Sequence, residues 1–229
     1  SFARAVIVQD VDITLVQVRI TSVDIAISAD SELTALMSNG KRKLNLATQG
    51  RMVHMNRSKI EWCDHTWNPI TGCFHGCHYC YARIMTTRFS GNVRLNKMAV
   101  DNYSVIEHGD RKLYVLDEPM KNETGHDLVY PFGFEPTFHR YRLNTLDKMK
   151  MGNNIFVGAM ADVFGEWVPD SWIDEIMRAC EEHPIHNFLF LTKNPDRYVS
   201  LLLKDKLPEL SNMWYGVTVT NSAQAMTAD

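Results

Sequence analysis

Apolar and polar positions divide the chain into an opening stretch with strand character and a longer part in which strand and helix patterns take turns. Near the start, VDITLVQVRITSVDIAIS alternates apolar and polar residues, which predicts two strands of a hairpin. A polar, basic stretch, SNGKRKLNLATQGR, follows. From Lys59 onward, IEWCDHTWNPITGC predicts a strand and turn, and YCYARIMTTRF predicts a helix that carries Ile84, Met85 and Phe89 toward one face. Residues 90–130 hold turn signals at SGN, EHGD and KNETGHD and are expected to form a variable insertion or lid.

Regular alternation then resumes. PTFHRYRL predicts a strand, with one of His139 and Arg140 facing inward. NNIFVGAMAD is a short apolar run bounded by polar residues, a buried strand that ends near Asp162. PDSWIDEIMRACEEH predicts a helix whose Trp172, Ile173, Ile176, Met177 and Cys180 share an apolar face, with Ser171 and Asp174 as a capping pair. HNFLFLTK is the next strand, and Asn194 and Pro195 open a helix through Leu203. MWYGVTVTN is one more strand.

This order predicts an α/β fold, a parallel sheet or partial (β/α) barrel, with functional residues at the carboxyl ends of strands. The positions so marked are Cys73, Asp162, Lys193, Thr220 and Asn221. Because no helix follows the last strand, the barrel is expected to be truncated at the C-terminus. The first methionine is Met37, and MNRSKIEW from Met55 has the look of a start. Residues 1–54 are therefore expected to be an extension outside the functional domain, which would span 55–229.

Composition narrows the class. With 45% hydrophobic and 22% charged residues, the chain has the balance of a globular protein. No run of about 18 apolar residues exists to span a membrane, and SFARAVIVQDVDITLV has acids where a signal peptide needs apolar residues. The net charge of -3 gives no general attraction to nucleic acid, although a local basic groove is compatible with it. The five cysteines are odd in number and three are clustered, which argues for reduced thiols in a cytoplasm rather than a disulfide framework.

That cluster, Cys73, Cys77 and Cys80 in TGCFHGCHYCYAR, has the spacing C-x3-C-x2-C. Thiolates at this density point to zinc or to an iron–sulfur cluster. Zinc wants a closed set of four, which His75, His78 or Cys63 could complete. A cubane held by three thiolates instead leaves its fourth iron open to a small ligand. Cys180 reads as a core side chain, Cys63 can be read the same way, and the five tryptophans read mostly as core. Asp162 closes an apolar strand, as a catalytic carboxylate or as a turn residue. Lys193 in LTKNP reads either as a solvated loop residue or as one that reaches an anionic ligand.

CFHGCHYC resembles the signature of the radical S-adenosylmethionine (SAM) superfamily, C-x3-C-x-aromatic-C. More narrowly, KIEWCDHTWNPITGC, IFVGAMADVFGEWVPDSWI, FLTKNP and WYGVTVTN together resemble a radical-SAM-like phage and prophage protein family of unknown function. The resemblance runs from about Ser58 to Asn221 and is poor over 90–130. It implies a partial (β/α) barrel of radical SAM type in which Cys73, Cys77 and Cys80 ligate a 4Fe-4S cluster. SAM would chelate the fourth iron and be cleaved reductively to a 5'-deoxyadenosyl radical. Tyr79 would lie near the adenine, Glu135 in FGFEP would hold the SAM amino group, and Lys193 could reach the SAM carboxylate. An electron donor such as flavodoxin or ferredoxin is implied, with a substrate that the phage setting suggests is a nucleic acid or nucleotide. The alternative from a different class is a non-catalytic zinc-binding module associated with nucleic acid.

Overall fold

The computed structural model describes residues 3–9, 12–20, 25–29 and 55–218, with side chains from Met55 onward except at Asn56. Its larger sheet is built on four parallel strands, β5 (His65–Trp67), β10 (Asn154–Val157), β11 (Asn187–Thr192) and β12 (Met213–Thr218). Ile155 pairs with Phe188, and Phe188 in turn with Met213. Phe188, Leu189 and Phe190 are consecutive and all buried, as in a strand covered on both faces. The crossovers are helical. A 12-residue helix, Asp170–Glu181, connects β10 to β11, and an eight-residue helix, Asp196–Leu203, connects β11 to β12.

The first of these helices buries Trp172, Ile173, Ile176, Met177 and Cys180, the face that the sequence marks. It begins at Asp170 with Pro169 at the N-cap and no side-chain cap, so Ser171 lies inside the helix and the expected capping pair does not form. The second begins at Asp196 with Pro195 as its cap, one residue later than expected. Trp67, Ile155, Val157, Phe164, Phe188, Phe190 and Tyr215 complete the core between sheet and helices.

Three strands from the start of the chain continue this sheet. β1 (Ala3–Gln9) runs parallel beside β12, and β2 (Asp12–Ile20) and β3 (Ile25–Ala29) add an antiparallel hairpin. At the opposite edge, β4 (Asn56–Arg57) pairs antiparallel with β5. The order across the sheet is β3-β2-β1-β12-β11-β10-β5-β4.

A second, four-stranded sheet has the order β6-β9-β8-β7, from β6 (Ile70–Thr71), β7 (Ser104–His108), β8 (Arg111–Leu116) and β9 (Thr137–His139). A small core of Tyr114, Leu116, Met120 and Phe132 lies against it, with the Tyr114 and Phe132 rings stacked at 4.1 Å. Residues 90–130 therefore contribute a short helix (Val93–Met98), the β7–β8 hairpin and part of this core. PTFHRYRL is strand only through His139; Arg140–Lys148 is a 3-10 helix. Of the two candidates for an inward position, His139 is fully buried, while Arg140 reaches outward to Glu175.

The expected partial (β/α) barrel is corrected by these pairings. The described strands form two open sheets in a mixed α/β arrangement, and no closed barrel is made among them. Closure requires each successive strand to extend one continuous sheet. Here β6 leaves the larger sheet only two residues after β5, at Asn68–Pro69, where proline has no N–H to give a ladder. It pairs antiparallel with β9, so the chain between β6 and β10 builds a separate sheet instead of β/α units.

Candidate metal centre

The cysteine loop leaves β6 through Gly72, whose φ of +83° and surroundings both demand glycine. A Cβ there would come within 2.4 Å of the Glu135 carbonyl oxygen. The Gly72 N–H donates to the Met160 carbonyl at 3.0 Å, and the Cys73 N–H donates to the Phe134 carbonyl at 3.2 Å. FGFEP, distant in sequence, is thus in backbone contact with the first cysteine. The loop closes with the Cys80 N–H donating to the Cys77 carbonyl at 3.3 Å. Cys80 then caps the helix α1 (Tyr81–Phe89).

All five cysteines are free thiols. Cys73, Cys77 and Cys80 are partly buried, whereas Cys63 and Cys180 are fully buried in the packing. Burial pushes the Cys73 thiol up to about 12, and the His75 backbone N–H, 3.5 Å from its sulfur, pulls the other way. A thiol so raised becomes a ligand only when a metal compensates its charge.

Asp162 organises the site. Its side chain is almost wholly buried and both oxygens are taken. Oδ1 accepts from the Phe164 N–H at 3.0 Å and the Thr192 hydroxyl at 2.7 Å. Oδ2 accepts from the Lys193 N–H at 2.9 Å and from His75 Nε2 at 2.7 Å. One carboxylate therefore ties the turn after β10, the end of β11 and the middle of the cysteine loop together. The His75 ring is also set edge-on to Trp167, 4.9 Å between centres. Asp162 thus holds the turn, positions the loop and lines the cavity beside it.

These elements enclose a cavity of about 280 Å³. Cys73, Cys77 and Cys80 all line it, with Tyr79 and His75 from the same loop. Gly158, Thr192, Lys193 and Thr218 bring in the carboxyl ends of β10, β11 and β12, where open parallel sheets bind ligands. Apolar wall comes from Phe134, Phe156, Met160 and Leu191. Lys193 Nζ sits 5.7 Å from the centre of the Tyr79 ring. The Tyr81 hydroxyl donates to the Ala159 carbonyl across the opening.

Other expected site residues lie elsewhere. Glu135 is absent from the cavity wall, because Lys97 holds its carboxylate at 2.8 Å, and Phe134 is the residue of that segment that reaches in. His78 is exposed against the edge of Tyr79 and does not line the cavity. Thr220 and Asn221 lie outside the described residues. Sequence reasoning missed the His75–Asp162 link, the placement of Phe134 and the approach of Trp167. A histidine between two clustered cysteines was the available signal for the first. Among the described residues, no three His, Cys, Asp or Glu side chains converge to hold a single ion. A cubane asks for a different set, one thiolate for each of three irons, and three thiols on one cavity wall with no fourth beside them suit that donor chemistry.

Fold and site define a mixed α/β protein whose three-cysteine loop closes over the strand ends of a mainly parallel sheet. The chain belongs to the family described as protein of unknown function (DUF5131), whose profile matches residues 57–228. Comparisons with curated proteins and with solved structures gave no match. Among the described residues, no helix is long and apolar enough to cross a membrane.

Proposed function

We propose that Cys73, Cys77 and Cys80 hold a 4Fe-4S cluster and that the cavity they line binds S-adenosylmethionine, making this chain a radical SAM-type enzyme. The observation that carries this reading is that all three thiols line one cavity at the carboxyl ends of three parallel strands. Bound there, the cofactors would supply a one-electron cleavage of SAM to methionine and a 5'-deoxyadenosyl radical that takes a hydrogen atom from the substrate.

The protein's own part is placement. Asp162 fixes the loop through His75 and fixes the end of β11 through Thr192 and the Lys193 N–H. Phe134, Phe156, Met160 and Leu191 give the cavity an apolar wall. An electron donor of the flavodoxin or ferredoxin kind and a reducing cytoplasm complete the proposal.

Low-temperature electron paramagnetic resonance of the anaerobically reconstituted, reduced chain tests it. A reduced-cubane signal that shifts when SAM is added and disappears in Cys77→Ala is the expected result. A folded protein that gives no such signal and carries one equivalent of zinc would overturn it.

A further inference from the structure

Around the cysteine loop, three cations are laid over aromatic rings. Lys193 Nζ is 5.7 Å from the Tyr79 ring centre, the Arg83 guanidinium 4.7 Å from that of Phe134, and the Arg111 guanidinium 4.6 Å from that of Phe74. Tyr79, Phe134 and Lys193 line the cavity, and Phe74 sits between Cys73 and His75. Other cations also lie over rings, Lys97 over Tyr114 and Arg140 over Phe138, but these two are paired with Glu135 and with Glu175 and Asp117 as well. Among the described residues, Arg83, Arg111 and Lys193 have no carboxylate within ion-pairing distance. The one carboxylate in the cavity wall, Asp162, already accepts four hydrogen bonds. Three cations without an ion-pair partner thus gather around the loop, in a chain whose net charge is -3. Beside it, Tyr79 and Tyr81 are 54% and 57% exposed, which leaves ring surface open to a ligand.

We infer that this face binds a single strand of nucleic acid, with phosphates against Arg83, Arg111 and Lys193 and a base stacked on Tyr79. Cations alternating with flat rings match a ligand that alternates phosphates with π-faces, which an acidic peptide does not. Bases must be unstacked to reach such rings, so the strand is single. The inference rests on the proposed function for its purpose, since it names the substrate class held at the mouth of that cavity.

Fluorescence anisotropy of the full chain with a labelled oligothymidine of about 12 nucleotides measures it. The expected result is saturable binding that weakens steeply between about 50 and 200 mM salt. Replacing Arg83, Arg111 and Lys193 together by Gln should weaken it by about tenfold or more and lower the log–log salt slope by about two. Lys150→Gln, a change to an exposed lysine, should bind as wild type does. Tyr79→Ala should weaken the normal strand by about fivefold or more and leave an abasic strand of equal length unaffected. Single Gln variants with unchanged melting curves stand in if the triple variant unfolds.

Binding indifferent to the three charges, an abasic strand or an equal-length duplex binding as tightly as the oligothymidine, or no binding at all would overturn the inference. Strand binding by a chain that yields no cubane signal would overturn the proposed function and leave this inference standing. A SAM-sensitive signal from a chain that ignores the strand would do the reverse.

Discussion

At the scale of single residues, Asp162 and Gly72 carry the most consequence. Replacing Asp162 by Ala strips acceptors from two backbone amides, the Thr192 hydroxyl and His75. Leaving buried donors without partners costs about 1–3 kcal/mol each, reduced where water can reach them. Asp162→Ala should therefore lower stability by at least about 2 kcal/mol in urea denaturation and also reduce the iron taken up on reconstitution. Gly72→Ala combines a left-handed backbone with a Cβ 2.4 Å from a carbonyl oxygen. The conformation alone costs about 1–2 kcal/mol, and the clash moves the loop away from Glu135. Its expected signature is a lowered melting temperature together with lost iron binding. Cys180→Ala, outside the cavity wall, should leave iron content unchanged. At this scale the sequence was most informative about the cysteines, because clustering is visible along a chain. It was least informative about Glu135, because a carboxylate's partner, here Lys97 from a separate helix, depends on the tertiary fold.

At the scale of elements, two helices with apolar faces turn out differently. The helix Asp170–Glu181 buries its face, and Trp172 stacks on Phe138 with ring centres 5.1 Å apart. In α1 the face that the sequence marks is turned outward: Ile84, Met85 and Phe89 are 69%, 42% and 50% exposed, and Ala82 and Thr86 are the buried residues. Periodicity identifies a stripe but does not say toward which neighbour it turns. Ala82 and Thr86 are the face that tertiary packing covers. Trp172→Ala should accordingly cost about 3–5 kcal/mol. Ile84→Ala should stay within about 0.5 kcal/mol, as exposed substitutions do. Chemical denaturation of both variants checks the contrast. The buried strands were legible because NIFV and NFLFLT are short apolar runs with clear ends. β6 and β9 were not separable from their surroundings, since strands of two and three residues carry almost no pattern.

For the whole molecule, the strand and helix order from β10 to β12 was legible and the global closure was not. Alternation of elements specifies crossovers, but whether a sheet curls shut depends on what the intervening segments pair with, and β6 to β9 pair with one another. His139 sits in the resulting interior, where burial first and the nearby Arg142 charge second hold its pKa well below the ordinary histidine range. His65 and His186 are lowered too. Below about pH 6.5 the unfolded chain then binds more protons than the folded one, so stability falls as pH falls through that value. His139 alone contributes a slope of up to about 1.4 kcal/mol per pH unit, flat above about pH 6.5. Urea midpoints between about pH 5 and pH 7 should show this decline, and His139→Gln should flatten it by about one proton.

On the proposed reading, the carboxylate clasp at Asp162 would also set the order in which the centre is made. Small zinc domains acquire their shape from the ion and collapse when it is chelated. Here Asp162 fastens the loop to the scaffold through His75, so on the proposed reading the socket would be formed without the cluster. Chelator-stripped protein should keep its native circular dichroism and a cooperative thermal transition, and should accept iron and sulfide again without refolding. Cysteine variants of this chain would then report on chemistry and not on collapse.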